Sequence, residues 1–256
     1  MYIFNSKNLK NAVRFEVRAD GGIYCLETID KFQSSFKETE RIFSHGKNAI
    51  QGTKFLVDFL CDLFSAKVEE VEVYDTSTWM LDFVEKRQGG YSYDAIVRNN
   101  AGRTDKQIKH ILLDLNPRSL DFNQAASHKF RIKNFDKKYE NLTIFERWVA
   151  VENLYQLDCV KLNIYLKDFS NTEINRYLKH VLSGGAQRLR KFSAAVRNPT
   201  ENVIMDGIRE LLMGSERVAN RLRDWNVIGK VAKGEELVLV SIKLTFQTVH
   251  LEIKEA

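Results

Sequence analysis

Residues 160–185, VKLNIYLKDFSNTEINRYLKHVLSGG, contain the most regular pattern in the chain and decide the fold that it predicts. Apolar and polar side chains alternate over residues 160–167, with Leu166 among the inward-facing ones, as in a strand with one buried face. Residues 173–182 then predict a helix, which Gly184-Gly185 can end. A strand followed at once by a helix indicates a mixed protein in which helices pack on a sheet.

Periodicity predicts the other elements of the first 157 residues. Strict alternation of apolar and polar residues favours strands, and a 3.6-residue period favours helices. In chain order we expect a hairpin at 13–26, a helix at 53–66, a strand at 68–74 with a partner strand at 78–85, a helix or strand at 106–115, and a helix at 144–157.

The C-terminal part predicts further helices and a hairpin. We expect a helix at 186–197, two helices around Gly214, and a pair of strands at 227–231 and 237–253. The predicted fold class is therefore α+β, with a mainly antiparallel sheet, helices packed on it, and a helix pair and β-hairpin at the C-terminus. The expected organisation is an N-terminal α+β half at 1–125 and a basic C-terminal α+β half at 126–256, which can also form one continuous domain.

Composition excludes several classes of protein. No uncharged apolar stretch reaches the roughly 18 residues that a membrane helix needs, and the first residues lack the basic-then-apolar order of a secretory signal. We therefore expect a cytoplasmic protein without a membrane partner. Cys25, Cys61 and Cys159 are far apart and form no CxxC pair, so we expect neither a disulfide framework nor a structural zinc site, and no cofactor.

Charge is distributed unevenly along this chain, whose net charge is +5. Residues 55–85 contain eight acidic side chains and one basic side chain, Lys67. Residues 174–200 contain six basic side chains and no acidic one, and a second basic run lies at 128–138. Such segregation along the sequence predicts a positive region in the electric field of the protein.

Clustered bases favour the binding of phosphate backbones, because each contact releases counterions. The predicted function is non-catalytic binding of nucleic acid, DNA or RNA, through a basic helical surface around residues 174–200. An accessory or phage-defence component fits this role. A helix-turn-helix around Gly214 would add arginines from its second helix. The predicted nucleic-acid-binding residues are Arg176, Lys179, Arg188, Arg190, Lys191, Arg197, Lys129, Arg131, Lys133, Arg217 and Arg221.

Other interpretations stay open at this point. The basic side chains can simply form the solvent-exposed face of an amphipathic helix. Gly184-Gly185 can also form a phosphate loop, although the Lys-Ser pair of the Walker motif is absent. Asp94 and Asp114 fit a Mg²⁺-dependent nuclease, but Asn116 stands where that site needs a lysine. A structural or assembly subunit of a homo-oligomer or of a protein complex is a further alternative. In a homo-oligomer, the acidic segment 55–85 of one copy can face the basic segment 174–200 of another.

Overall fold

The computed structural model of this chain divides into two compact units. Unit 1 consists of residues 1–103 and 114–118, and unit 2 consists of residues 104–113 and 119–256. The residues that the structure describes are 2–5, 11–17, 23–30, 49–63, 65, 67–73, 78–90, 92–98, 102–221, 224–233, 236–245 and 247–255.

The described residues of unit 1 form a sheet and two helices. Its strands have the order β5-β4-β1-β2-β3, and β4 and β5 are parallel whereas the other neighbours are antiparallel. The predicted N-terminal hairpin is the pair β2 and β3. The elements are β1 (Tyr2–Asn5), β2 (Asn11–Val17), β3 (Ile23–Asp30), α1 (Ala49–Leu63), β4 (Lys67–Val73), α2 (Trp79–Gln88) and β5 (Asp94–Val97).

Unit 2 begins with a helix and contains a larger sheet. Its strands have the order β10-β11-β12-β13-β9-β8-β7-β6. The elements are α3 (Asp105–Leu113), β6 (Ser119–Phe122), β7 (Lys138–Phe145), α4 (Val151–Leu154), β8 (Asp158–Phe169), α5 (Asn171–Leu182), β9 (Lys191–Val196), α6 (Glu201–Ile204), one 3-10 turn (Arg209–Leu211), β10 (Met213–Arg221), β11 (Asp224–Lys233), β12 (Glu236–Leu244) and β13 (Thr248–Glu255).

The prediction of an α+β protein with a mainly antiparallel sheet is wrong. The sheets are mixed: β4 and β5 are parallel, and so are the neighbours β6, β7, β8 and β9. Helices connect these strands, with α2 between β4 and β5, α4 between β7 and β8, and α5 between β8 and β9. Alternation usually marks antiparallel strands, because parallel strands are usually covered on both faces. Here β8 alternates although it is parallel to both neighbours, since its outward side chains keep some exposure.

Several predicted helices and strands also take another form. The predicted strand at 78–85 lies in α2, whose buried Met80, Leu81 and Val84 form one helical face. The predicted helix at 144–157 is reduced to the single turn of α4, because β7 continues to Phe145. The segment 106–115, which fitted either structure, lies mostly in α3.

The helices predicted for the C-terminal part are wrong because strand pairing overrides helical periodicity. Residues 191–196 form β9, in which Phe192, Ala194 and Val196 are buried and the residues between them face outward. In place of the helix pair around Gly214 there are α6, a 3-10 turn and β10, which pairs with β11. The predicted pair of strands corresponds to β11, β12 and β13, which form an antiparallel group beside β9.

One face of the unit 2 sheet carries the core. The ring of Tyr177 in α5 lies 4.7 Å from the ring of Phe192 in β9, which places α5 on the face where Leu162 and Ile164 are also buried. The side chain of Ser170 caps the first turn of α5 by accepting from the Glu173 amide at 3.2 Å. Among the described residues, no helix is long and apolar enough to cross a membrane.

A long connection, the β6–β7 loop (residues 123–137), is attached to this core by buried side chains. Phe130 and Phe135 lie against Trp148, and their ring centroids are 5.1 and 6.1 Å, respectively, from the centroid of the Trp148 ring. Asn153 donates from Nδ2 to the Ile132 carbonyl at 2.8 Å and accepts the Ala150 amide at 3.0 Å. Buried polar contacts of this kind fix the course of a loop that has no regular secondary structure.

Replacing Asn153 with alanine should therefore lower the free energy of unfolding by about 1–3 kcal/mol, because it leaves the Ile132 carbonyl and the Ala150 amide without their partner. Denaturant titration measures the change, with an unchanged slope showing that both variants still unfold as one unit. The matched control is Glu152→Ala, one residue earlier in α4 and exposed, which should change stability by no more than about 0.5 kcal/mol. Equal effects of the two substitutions would contradict the role of Asn153.

Candidate functional site

The glycine pair ends α5 and does not form a phosphate loop. The amide of Ser183 donates to the Lys179 carbonyl at 2.9 Å, that of Gly184 to Val181 at 3.1 Å, and that of Gly185 to His180 at 2.9 Å. These donors close the last turn of the helix and are not directed at an anion. The chain then turns and enters β9 at Lys191. The glycines are therefore followed by a strand and not by the helix that comes after a phosphate loop.

Gly185 instead makes room for a histidine. A Cβ atom at this position would lie 2.1 Å from Cε1 of His180. The His180 ring lies 4.8 Å from the ring of Tyr155 and 6.4 Å from that of Tyr177, so the three rings form a cluster at the end of α5. Burial lowers the pKa of His180, which favours the neutral ring at pH 7. His180 is thus a packing residue at the turn.

Three of the predicted nucleic-acid-binding residues pair with acidic side chains of their own unit. Arg188 forms ion pairs with Glu140 and with Asp158, the latter at 3.4 Å, and also donates to the Asp158 carbonyl at 3.2 Å. Lys191 Nζ lies 3.2 Å from Glu252 Oε1. Lys179 Nζ lies 3.8 Å from an oxygen of Asp206. The acid-free stretch of the sequence is therefore partly neutralised in space.

The other bases of residues 174–200 are spread over several elements. Arg176 is exposed on α5, Arg190 donates to the Gln187 carbonyl at 3.2 Å, and Arg197 is exposed beyond the end of β9. Lys191 and Arg197 lie at opposite ends of β9, roughly 20 Å apart at 3.3 Å per residue. The predicted single helical surface is wrong as a structure, because these residues lie on a helix, a turn and a strand.

The remaining predicted binding residues occupy two places in unit 2. Arg217 and Arg221 belong to β10, and the register with β11 pairs them with Val227 and Asp224, respectively. Lys129, Arg131 and Lys133 lie in the β6–β7 loop and are exposed.

Asp94, one of the two carboxylates of the nuclease alternative, already has a partner. Arg118 donates to both oxygens of Asp94, at 2.9 and 2.7 Å. Asn116 donates to Glu85 at 3.1 Å. Across the described part of the chain, no group of three or more His, Cys, Asp or Glu side chains is arranged to hold a metal ion. The geometry therefore offers no support for metal-dependent cleavage.

The acidic segment 55–85 also finds partners within its own unit. Arg87 binds both Asp58 and Asp62 at 2.7 Å, and Arg98 binds Glu72 at 2.7 Å. A homo-oligomer formed through residues 55–85 and 174–200 stays a prediction, and it would have to compete with these pairs.

The outward side chains of β6, β7, β8 and β9 form a surface that we call the open face, opposite to α5. Most of them are short and polar, and they bond to each other across strands. Asn141 donates to Ser119 at 3.1 Å, and Asn163 donates to Thr143 at 3.3 Å. The members are Ser119, Asp121, Asn141, Thr143, Phe145, Lys161, Asn163, Tyr165, Lys191 and Ser193.

An apolar cluster stands at one end of the open face. The rings of Phe145 and Tyr165 stack with centroids 4.7 Å apart, and Tyr165 is 40% exposed. The next residue, Leu166, is 55% exposed and has a φ of 62°, in the left-handed region. The register with β9 shifts between Ile164 and Phe169, so this part of β8 is a bulge.

The bulge turns Leu166 outward, although the sequence pattern places it inward. A non-glycine residue in the left-handed region costs about 1–2 kcal/mol. Bulges and strained residues of this kind are concentrated where a side chain must be presented to a ligand.

Residues 126–194, about a quarter of the chain, match the model of a family described as F-box associated. No curated protein matches the sequence. Among solved structures, an S-adenosylmethionine-dependent methyltransferase from Clostridium acetobutylicum is similar at 9% identity, over 79% of this chain and 73% of that one, with a TM-score of 0.17. At that TM-score the similarity carries no argument about fold or activity.

The substitution Gly185→Ala should lower the free energy of unfolding by about 1–3 kcal/mol, because the added Cβ overlaps the His180 ring. In a His180→Ala background the same substitution should cost less, with a coupling energy of about 0.5–3 kcal/mol. Thermal or denaturant unfolding of the four proteins of this double-mutant cycle measures the coupling.

The comparison substitution is Gly184→Ala, at a position with a φ of 88° and open space around the Cβ. Its cost comes from the backbone alone, about 1–2 kcal/mol, and should be the same with or without the His180 ring. If Gly185→Ala also proved independent of His180, the packing role of the glycine would be wrong.

Proposed function

We propose that this chain is a non-catalytic protein-binding module, and that the open face of unit 2 is its binding surface. The single observation that carries the proposal is the stack of the half-buried Phe145 on the exposed Tyr165, followed at once on a bulge by the exposed, left-handed Leu166. Tyr side chains are enriched at the energetic centres of interfaces, and polar residues usually form the rim beside them.

The polar part of the open face supports the same role. Its Ser, Thr and Asn side chains are short, and Asn141 and Asn163 each donate one hydrogen bond across strands. A partner can therefore approach the sheet closely and bond with the donors and acceptors that these contacts do not use. The matched residues of the family model described as F-box associated contain all of β7 and β8 and the first part of β9. The description of that family supports a domain that functions together with another protein domain.

Nucleic-acid binding is the second candidate function, favoured by the basic balance of the chain and by the exposed Arg176, Arg197 and loop cations. Surface ion pairs such as those of Lys179 and Lys191 contribute only about 0–1 kcal/mol each, so phosphates can displace them.

As part of the proposal we place the protein in the cytoplasm, because Cys61 and Cys159 are buried thiols without a disulfide.

Site-directed photocrosslinking distinguishes the two candidates. A photoreactive amino acid at Lys161, in the open face, should crosslink to a protein in an extract of the cells that make this chain, and nuclease treatment should leave the product unchanged. The double substitution Tyr165→Ser with Leu166→Ser should reduce the yield about tenfold or more, because removing central aromatic contacts commonly costs about 2 kcal/mol.

Two controls make the result specific. Val203→Ser with Leu211→Ser removes other exposed apolar side chains of unit 2 and should preserve the crosslink. A photoreactive residue at Arg176, on α5, should not give the same product. A product that nuclease digests would favour nucleic-acid binding, and equal yields from the two positions would contradict a role for the open face.

A further inference from the structure

The β6–β7 loop presents cations on alternate residues of a fixed backbone. Phe130 and Ile132 are buried, whereas Lys129, Arg131 and Lys133 between and beside them are exposed. The buried residues hold the loop through the contacts with Trp148 and Asn153 described above. Arg131 fixes the turn further, since its Nη1 donates to the Phe130 carbonyl at 2.6 Å and to the His128 carbonyl at 3.2 Å.

Helix α3 completes a cleft beside these cations. The cleft has a volume of about 470 Å³, which is within the usual range for ligand sites. Its charged lining consists of Lys109 from α3 with Lys129, Arg131 and Lys133 from the loop, against Asp105 as the acidic residue. Lys109 Nζ lies 5.8 Å from the centroid of the Phe130 ring. This contact connects α3 to the β6–β7 loop across the cleft.

The one acidic residue of the lining is held by the loop itself. Asp105 accepts the Ser127 amide at 3.0 Å and the Ser127 hydroxyl at 2.5 Å. These hydrogen bonds hold the pKa of Asp105 below its usual range. Four basic side chains against this one carboxylate leave the cleft with an excess of positive charge.

We propose that this cleft binds an extended acidic segment of a partner protein, with carboxylates on alternate residues. In an extended peptide, side chains two residues apart point to the same side. The exposed cations are also two residues apart, so their Cα atoms are separated by at most about 7 Å, which is the same repeat. The cleft is a site separate from the open face, and the proposal does not rest on the function proposed there.

A protein segment fits the lining better than a nucleic acid does. Single-stranded nucleic acids bind through bases stacked on exposed aromatic rings together with backbone contacts. The aromatic residue among those lining this cleft, Phe130, is 2% exposed and packs against Trp148. The half-buried Leu113 instead suits the aliphatic part of a peptide.

Fluorescence anisotropy with three labelled probes tests the proposal. The probes are a peptide with Glu at every second position, a peptide of the same composition with its Glu residues contiguous, and an oligothymidylate. The alternating peptide should bind most tightly, and the triple substitution Lys129→Gln, Arg131→Gln and Lys133→Gln should weaken it about tenfold or more. Binding should weaken steeply as salt is added, because the contacts are exposed charges.

A second triple substitution is the matched control: Lys230→Gln, Lys243→Gln and Lys254→Gln remove the same charge from exposed sheet positions of unit 2, outside the open face. It should leave peptide affinity within about twofold. Circular dichroism of both variants checks that the fold is retained, and Asn153→Ala should weaken peptide binding by loosening the loop. Tighter binding of the oligothymidylate, equal binding of the two peptides, or equal losses in the two triple variants would each overturn the proposal.

Discussion

The contact between Tyr177 in α5 and Phe192 in β9, at 4.7 Å between ring centroids, determines much of what unit 2 presents to solvent. It attaches the crossover helix to one face of the sheet, so the turn at Gly184-Gly185 must bring the chain back to β9 within a few residues. That tight return places His180 directly over Gly185. Because the helix covers this one face, the outward residues of β7, β8 and β9 keep partial exposure, and polar side chains there lose only part of their hydration.

The same folding pattern redistributes charge. Arg188 meets Glu140 and Asp158, which lie 48 and 30 residues earlier in the chain, because β7 and β8 run side by side near the start of β9. Likewise Lys191 meets Glu252, its register partner in β13, and hydrogen bonds from Lys254 and Lys191 hold the pKa of Glu252 below its usual range. Charge segregation along a sequence is therefore a poor guide to charge segregation in space when distant strands become neighbours.

Local patterns predicted β8, α5 and α1 because each contains a long run with one period. They failed for β9, where Leu189, Phe192 and Val196 fit a helical stripe while Phe192, Ala194 and Val196 fit a strand. Only pairing with β8 and β13, which are distant in sequence, decides between the two. The parallel direction was missed because α5 covers one face of β8, which gives it the alternation of an antiparallel strand. Leu166 was placed inward because nothing in its neighbourhood predicts a left-handed residue, a conformation usually taken by glycine.

The two surfaces proposed in unit 2 differ in the physics of recognition. The cluster of Phe145, Tyr165 and Leu166 acts by burial of apolar area, which salt affects little. The cleft beside Lys129, Arg131 and Lys133 acts by charge, which speeds encounter and is screened by salt. If one partner reaches both, the second contact becomes intramolecular, and its contribution depends on the length of chain that links the two binding segments. In that arrangement the charged cleft governs the association rate and the apolar cluster governs the lifetime of the complex, because the two surfaces act at different stages of binding.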